Sequence, residues 1–305
     1  MHNNFEPRGG TLMNNRRLLR KERAAFSIMW IPPFALYTCL FVLPVVAGLC
    51  YSFTDWNGFS REIHFNGIQN YLKLFQDRQF HAACIFNLKY TVLLTVFSLG
   101  IAMLLATAVC SKIRFQKFFR LVFFFPACLS LVTIGLVFNE IFYQGLPQLG
   151  QALGWNWLSR NILSSEKTAM YGVLFVHVWK NAAIPFILFV AGIQGVPQSL
   201  YEAAKIDGAN VWQCWRRITL PMLLPMITVA GVLSIKEGLT VFDYIVIMTS
   251  GGPGGATESL AYLIYNNAFK NMKLSYSVAQ SVVVFLLLCI ASALQFWLAG
   301  RNERE

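Results

Sequence analysis

Six apolar segments, at about 27–53, 86–110, 120–143, 169–195, 221–249 and 277–299, recur along this chain of 305 residues. Each is near the ~20 residues that cross a bilayer core as an α-helix. A backbone inside hydrocarbon must satisfy its own N–H and C=O groups, which helices and closed barrels do. The period-two alternation of barrel strands is absent, so helices are predicted. The expected fold is an all-α polytopic membrane protein with six transmembrane helices. A polar N-terminal tail (1–26) precedes the six-helix domain (27–299), and a short tail (300–305) follows it.

Composition agrees with lipid as the main solvent: 56% of residues are hydrophobic and 13% charged, against roughly a quarter charged in a soluble domain. The N-terminal tail carries Arg16, Arg17, Arg20, Lys21 and Arg23 ahead of the first apolar run. That run is too long for the core of a signal peptide and leads into further spans. The net charge of +11 is spread between apolar runs and forms no basic patch with interleaved stacking aromatics, so no nucleic-acid partner is expected. Seven scattered cysteines form no CxxC pair, and the four histidines share no ligand spacing with them. No metal site is expected.

Lysine and arginine fix the expected orientation. The tails and the loops 111–120 and 196–220 hold 15 of them, and the alternate loops 54–85, 144–168 and 250–276 hold 7. The positive-inside bias therefore places both termini in the cytoplasm. Pro32, Pro33, Pro44, Pro126 and Pro185 lie in or at the ends of spans, where kinks are expected.

The loop between the fourth and fifth spans, 196–221, is the most informative. Residues from Ser199 to Asp207 favour helix, Pro197 suits a first turn, and Gly208 suits a helix stop. Asn210 is a plausible N-cap for a second short helix ending at Leu220 and Pro221. Ala203 and Ala204 leave room for another protein's surface, with Glu202, Lys205 and Asp207 as charged partners around them.

The run Glu202-Ala203-Ala204, then Gly208, then Ile218 and Leu220-Pro221 resembles the EAA loop of ABC importer permeases. Trp215 stands where many relatives have phenylalanine. Three further stretches are similar to the carbohydrate-uptake branch, which includes the maltose and glycerol-phosphate importers: Phe65 to Tyr71 with Phe75, Arg120 to Pro126, and Phe242-Asp243 through Pro253 with Tyr265. The likeness runs from about residue 27 to the end.

The resemblance implies a type I ABC importer permease bundle in a bacterial inner membrane, with 196–221 as its coupling loop and a carbohydrate as cargo. Tyr201, Glu202, Ala203, Ala204, Asp207 and Gly208, with Ile218, Leu220 and Pro221, would dock a cytoplasmic ATPase. The implied partners are two ABC ATPase subunits, a second permease subunit forming a heterodimer, and an extracytoplasmic solute-binding protein. No cofactor is expected on this chain, and ATP-Mg would bind the ATPase: no GxxxxGK followed by Ser or Thr occurs here, and Gly251 to Gly255 has no following lysine.

Charge inside a membrane is costly and so points to function. His177 and Lys180 in the fourth span, with Lys236, Glu237 and Asp243 in the fifth, are candidates to face a solute pathway, and Trp179 and Phe242 could stack on a sugar. Lys236 and Glu237 equally suit a structural pair. Two rival classes are an ion-driven secondary transporter, which needs no ATPase, and an intramembrane enzyme, for which no catalytic constellation is evident.

Overall fold

The computed structural model describes residues 28–111 and 114–302; the N-terminal tail with residue 27, residues 112–113 and residues 303–305 lie outside the described residues. Four helices are long and apolar enough to cross a membrane, and two bent pairs bring the total to six if each pair is one span. The first helix, α1 (Ile28–Tyr51), spans 24 residues, about 36 Å at 1.5 Å per residue. A short helix, α2 (Gln69–Gln76), leads into α3 (Arg78–Cys110), whose 33 residues exceed the bilayer core. Then come α4 (Gln116–Cys128), α5 (Leu131–Leu153) and α6 (Ala169–Gly195). The last of these is irregular at Ala182, two residues after Lys180 and three before Pro185.

The expected third span, 120–143, is not one straight helix: α4 and α5 meet at 97°. Pro126 lacks an N–H, the turn Phe125–Cys128 tightens to a 3₁₀ form, and Leu129 is extended at ψ 146. The fifth, 221–249, is also interrupted. The helix α9 (Leu224–Leu239) ends at Thr240, and the chain resumes helix in α10 (Asp243–Met248). The chain ends in α11 (Leu260–Tyr265) and α12 (Leu274–Asn302), the latter running into the expected C-terminal tail.

Interrupted helices expose backbone groups that lipid cannot bond. One side chain repairs two such ends. Asn87, 1% exposed in α3, donates Nδ2 to the Leu239 carbonyl at 2.8 Å, at the end of α9. Its Oδ1 accepts from the Leu260 N–H at 2.8 Å, at the start of α11.

Packing follows the membrane rule that small residues admit close helix approach. Ser98, Ala102 and Ala106, four apart on α3, are fully buried. The two alanines share a cluster with Phe186, Phe189 and Val190 of α6 and Ala230 of α9. A second cluster joins Phe86, Tyr90 and Leu94 of α3 to Val173 and Val176 of α6 and to Tyr244 and Ile245 of α10. No residue of α1 is buried; its side leans on α12, where a Cβ on Gly48 would lie 3.7 Å from Val278.

The loops sort to two ends. At one, Tyr276 donates its hydroxyl to Asp77 at 2.6 Å, while Asp77 caps the start of α3 through the Gln79 N–H at 2.9 Å. Thr54 and Ser275 share a hydroxyl hydrogen bond of 2.8 Å there. At the other end, Trp215 Nε1 donates to Thr107 Oγ1 at 3.4 Å, placing the 196–220 loop beside the end of α3.

Glu258, half-buried in the connection between α10 and α11, has its carboxyl held above the usual carboxylate range by burial. A hydrogen bond with Asn266 pulls it down and the Asp77 charge pushes it up. The folded state therefore keeps this proton to higher pH than the unfolded state. Below the ordinary carboxylate range both states are protonated and the group contributes nothing. As pH rises through the interval up to the folded value, the unfolded chain deprotonates first and stability falls. Glu258→Gln is expected to remove that decline. Thermal midpoints against pH in detergent check it, and equal declines in both proteins count against it.

Candidate functional site

The 196–221 loop forms the expected helix, α7 (Gln198–Ile206). Pro197, expected in the first turn, stands one position earlier, as the N-cap with ψ 130. The stop is a complete reversal motif: the Gly208 N–H reaches the Lys205 carbonyl at 3.2 Å and the Ala209 N–H reaches the Ala204 carbonyl at 2.9 Å. Gly208 has φ +75, where L side chains are strained, and a Cβ there would meet nothing within 4 Å.

Asn210 and Gln213 then form a reciprocal capping box, with bonds of 2.9 and 2.8 Å. The second helix, α8 (Val211–Met222), was expected to end at Leu220–Pro221 but passes through Pro221. A wide π turn at Trp215–Thr219 precedes the proline and accommodates its ring. The bend of 64° falls after Met222, before α9.

This element is anchored on one face and open on the other. Tyr201 shares a 2.8 Å hydrogen bond with Thr219, and Ala204, Ile218 and Leu220 are half-buried. Glu202, Ala203, Asp207, Gly208 and Pro221 are exposed. Ile206 (87% exposed), Val211 (86%) and Trp212 (62%) also face outward. An apolar patch rimmed by charges at the end of a membrane bundle has the character of a protein interface.

A second feature lies within the bundle. A cleft of about 280 Å³ is lined by His177, Lys180 and Asn181 of α6, Ser234 and Glu237 of α9, and Tyr244 of α10, among others. His177 shares a 3.0 Å hydrogen bond with Tyr90 and packs its ring 4.5 Å from that of Tyr244. Asn181 donates to Ser234 at 3.0 Å. The Tyr244 hydroxyl is buried without a protein partner. One cation, one carboxylate and several neutral hydrogen-bonding groups thus meet in one cleft, a set suited to a polyhydroxylated solute.

The structure brings His177, Lys180 and Glu237 together there and sets the other sequence candidates apart. Trp179 packs on Phe138, with ring centroids 5.5 Å apart. Lys236 points outward and lies 3.6 Å from Glu237, the alternative pairing. Phe242 packs on Tyr265 at 5.5 Å. Asp243 opens α10 and does not line the cleft. Sequence reasoning missed Asn181, Ser234 and Tyr244, because it weighed charged and large aromatic residues. A neutral polar residue within an apolar span was the available signal. Among the described residues no group of three or more His, Cys, Asp or Glu could hold a metal.

Known proteins share this architecture. A solved bacterial ABC transporter involved in import of the acidic polysaccharide alginate superposes with a TM-score of 0.79 at 21% identity, covering 94% of this chain and 99% of that one. The multiple sugar-binding transport system permease protein MsmF of Streptococcus mutans is 40% identical, over 90% of this chain and 94% of that protein. The probable starch degradation products transport system permease protein AmyD of Thermoanaerobacterium thermosulfurigenes is 31% identical, over 91% and 94%. The family model for the binding-protein-dependent transport system inner membrane component matches residues 98–304, a stretch that includes both the open helix–glycine–helix element and the polar cleft. With that match over most of its length, this chain belongs to the family of binding-protein-dependent transport system inner membrane components.

Proposed function

We propose that this chain forms half of the membrane pathway of an ATP-driven carbohydrate importer. The observation that carries the reading is the exposed surface over α7, Gly208 and the start of α8, rigidly capped from within and left open outward. Such a surface suits a cytoplasmic ATPase, which binds ATP-Mg and supplies the energy that this chain has no phosphate loop to supply. Two ATPase subunits close on ATP, move the coupling loops and turn the permease halves toward the outside. An extracytoplasmic binding protein then delivers the solute, in keeping with the family's description.

Carbohydrate as cargo is supported by the sugar and starch-product systems of the relatives and by the neutral hydrogen-bonding groups of the cleft. One six-span chain presents half of a two-fold transporter, so a second permease is required, and the heterodimer is favoured. The positive loops at the α7 end support a cytoplasmic position for that end and for both termini, in a bacterial inner membrane.

Affinity purification from gently solubilised native membranes tests the assembly. Recovery of an ABC ATPase with a second permease bearing the same loop is the expected result. Their absence, under conditions that preserve other importers, counts against the reading and revives an ion-driven transporter.

A further inference from the structure

Behind the coupling loop lies a cavity of about 750 Å³, bounded by the ends of α3 and α6, the start of α4 and the inner side of α7 and α8. Its lining includes Arg120 and Lys205 and, among the described residues, contains no Asp or Glu. Neither cation is in an ion pair within 4 Å among the described residues. Arg120 is half-buried and Lys205 exposed, so the charge that the cavity leaves partly desolvated without a counter-ion is that of Arg120, with Lys205 on its solvent side.

The Arg120 donors are not all spent. A guanidinium has five N–H groups in a planar fork. With the Gln194 amide turned to present its oxygen, Arg120 Nη1 donates to it at 3.2 Å and Nη2 donates as well. The Nε–H of Arg120 is buried and has no partner. The neutral groups beside it, Gln116, Tyr201 and Trp215, bond within the chain: Gln116 Nε2 donates to the Ser111 carbonyl at 2.7 Å, Tyr201 pairs with Thr219 and Trp215 Nε1 donates to Thr107. Around Arg120, the side chains of Phe115, Phe118 and Leu121 are exposed, as expected for a rim at the level of lipid headgroups.

We propose that this cavity binds a phosphate group, with Arg120 as the fork and Lys205 as a second charge. A tetrahedral oxyanion supplies the negative charge that the lining lacks and acceptors matched to a guanidinium fork. Two sources share this chemistry, an anionic lipid headgroup entering from the membrane side and a soluble phosphate from the cytoplasm. The cavity shares Tyr201 and Lys205 with the coupling loop, but its phosphate chemistry does not depend on the docking reading.

The assembled transporter, purified in detergent, is titrated with phosphatidylglycerol or phosphatidylethanolamine under native mass spectrometry. In a parallel arm it is titrated with pyrophosphate against chloride at matched ionic strength, with the thermal midpoint as readout. Selective retention of phosphatidylglycerol assigns a lipid headgroup; a saturable pyrophosphate shift without it assigns a soluble phosphate. Arg120→Gln is expected to weaken the selective ligand about tenfold, and Arg120→Lys less, because it keeps the charge but loses the fork. Absence of selective binding in both wild-type arms overturns the proposal, and so does unchanged binding by Arg120→Gln. Should that variant not assemble, the wild-type arms decide alone. Recovery of the ATPase in the same preparation reads the docking surface separately.

Discussion

Gly208→Val is expected to leave the chain inserted in the membrane with its helices formed, while solute uptake falls at least about tenfold and ATP hydrolysis continues. The backbone at Gly208 sits at φ +75, and a β-branched residue forced into the left-handed region costs roughly 1–2 kcal/mol, about tenfold in a coupled equilibrium. Apart from its two neighbours in sequence, no atom of the described residues lies within 4 Å of the added Cβ. The disturbance therefore falls on the reversal between α7 and α8 and on whatever protein rests against it. Gly208→Asn separates these two effects, since asparagine tolerates the left-handed region yet still adds bulk to the surface. A defect in both variants locates the loss at the docking surface, and a defect in valine alone locates it in the turn. Normal uptake by the valine variant sinks the docking role.

Gly238→Ala should strike the fold itself. A Cβ at this position of α9 would stand 2.7 Å from the Thr91 Cα and 2.9 Å from its Cβ, and backbone offers no rotamer by which to retreat. Overpacking of this kind costs roughly 1–3 kcal/mol. The same shift pulls Glu237 and Ser234 away from α6 and lengthens the bonds from Asn87 to the Gly238 and Leu239 carbonyls, 3.4 and 2.8 Å in the native packing. A thermal midpoint several degrees lower in detergent, with weaker uptake by whatever remains folded, is the expected pair of results. Gly100→Ala is the control: it lies in the interior of α3 with nothing within 4 Å of the new Cβ, and its helix propensity improves. Equal behaviour of the two variants would show that α3 and α9 are not in this close contact.

The spans were legible because lipid imposes a length and a polarity that any sequence must obey. Of their interruptions, the first was marked by Pro126 and the second, at Thr240, was not. Hydropathy runs unbroken through Leu129, and near Val241–Phe242 the charges Lys236, Glu237 and Asp243 read as pathway candidates within one span, while the structure turns at both places. The partner of the second break is Asn87, separated by 152 residues from Leu239 and by 173 from Leu260. A single asparagine in an apolar run reveals a cost but not what repays it. The coupling element was readable for the opposite reason: its turn and caps are local, set by Gly208 and by Asn210 with Gln213 three residues on. Even there, the path of α8 through Pro221 depended on a π turn that has no simple sequence mark.

The length of α3 has a mechanical consequence. Its 33 residues make a rod of about 50 Å, gripped near one end through Asn87 by α9 and α11 and touched near the other by Trp215 of α8. A rod of that length tilting by about 10° sweeps its far tip through roughly 9 Å. The two faces of the bundle are thus geared together: a displacement on one side of the membrane must be answered on the other, or α3 must bend or release one of its grips.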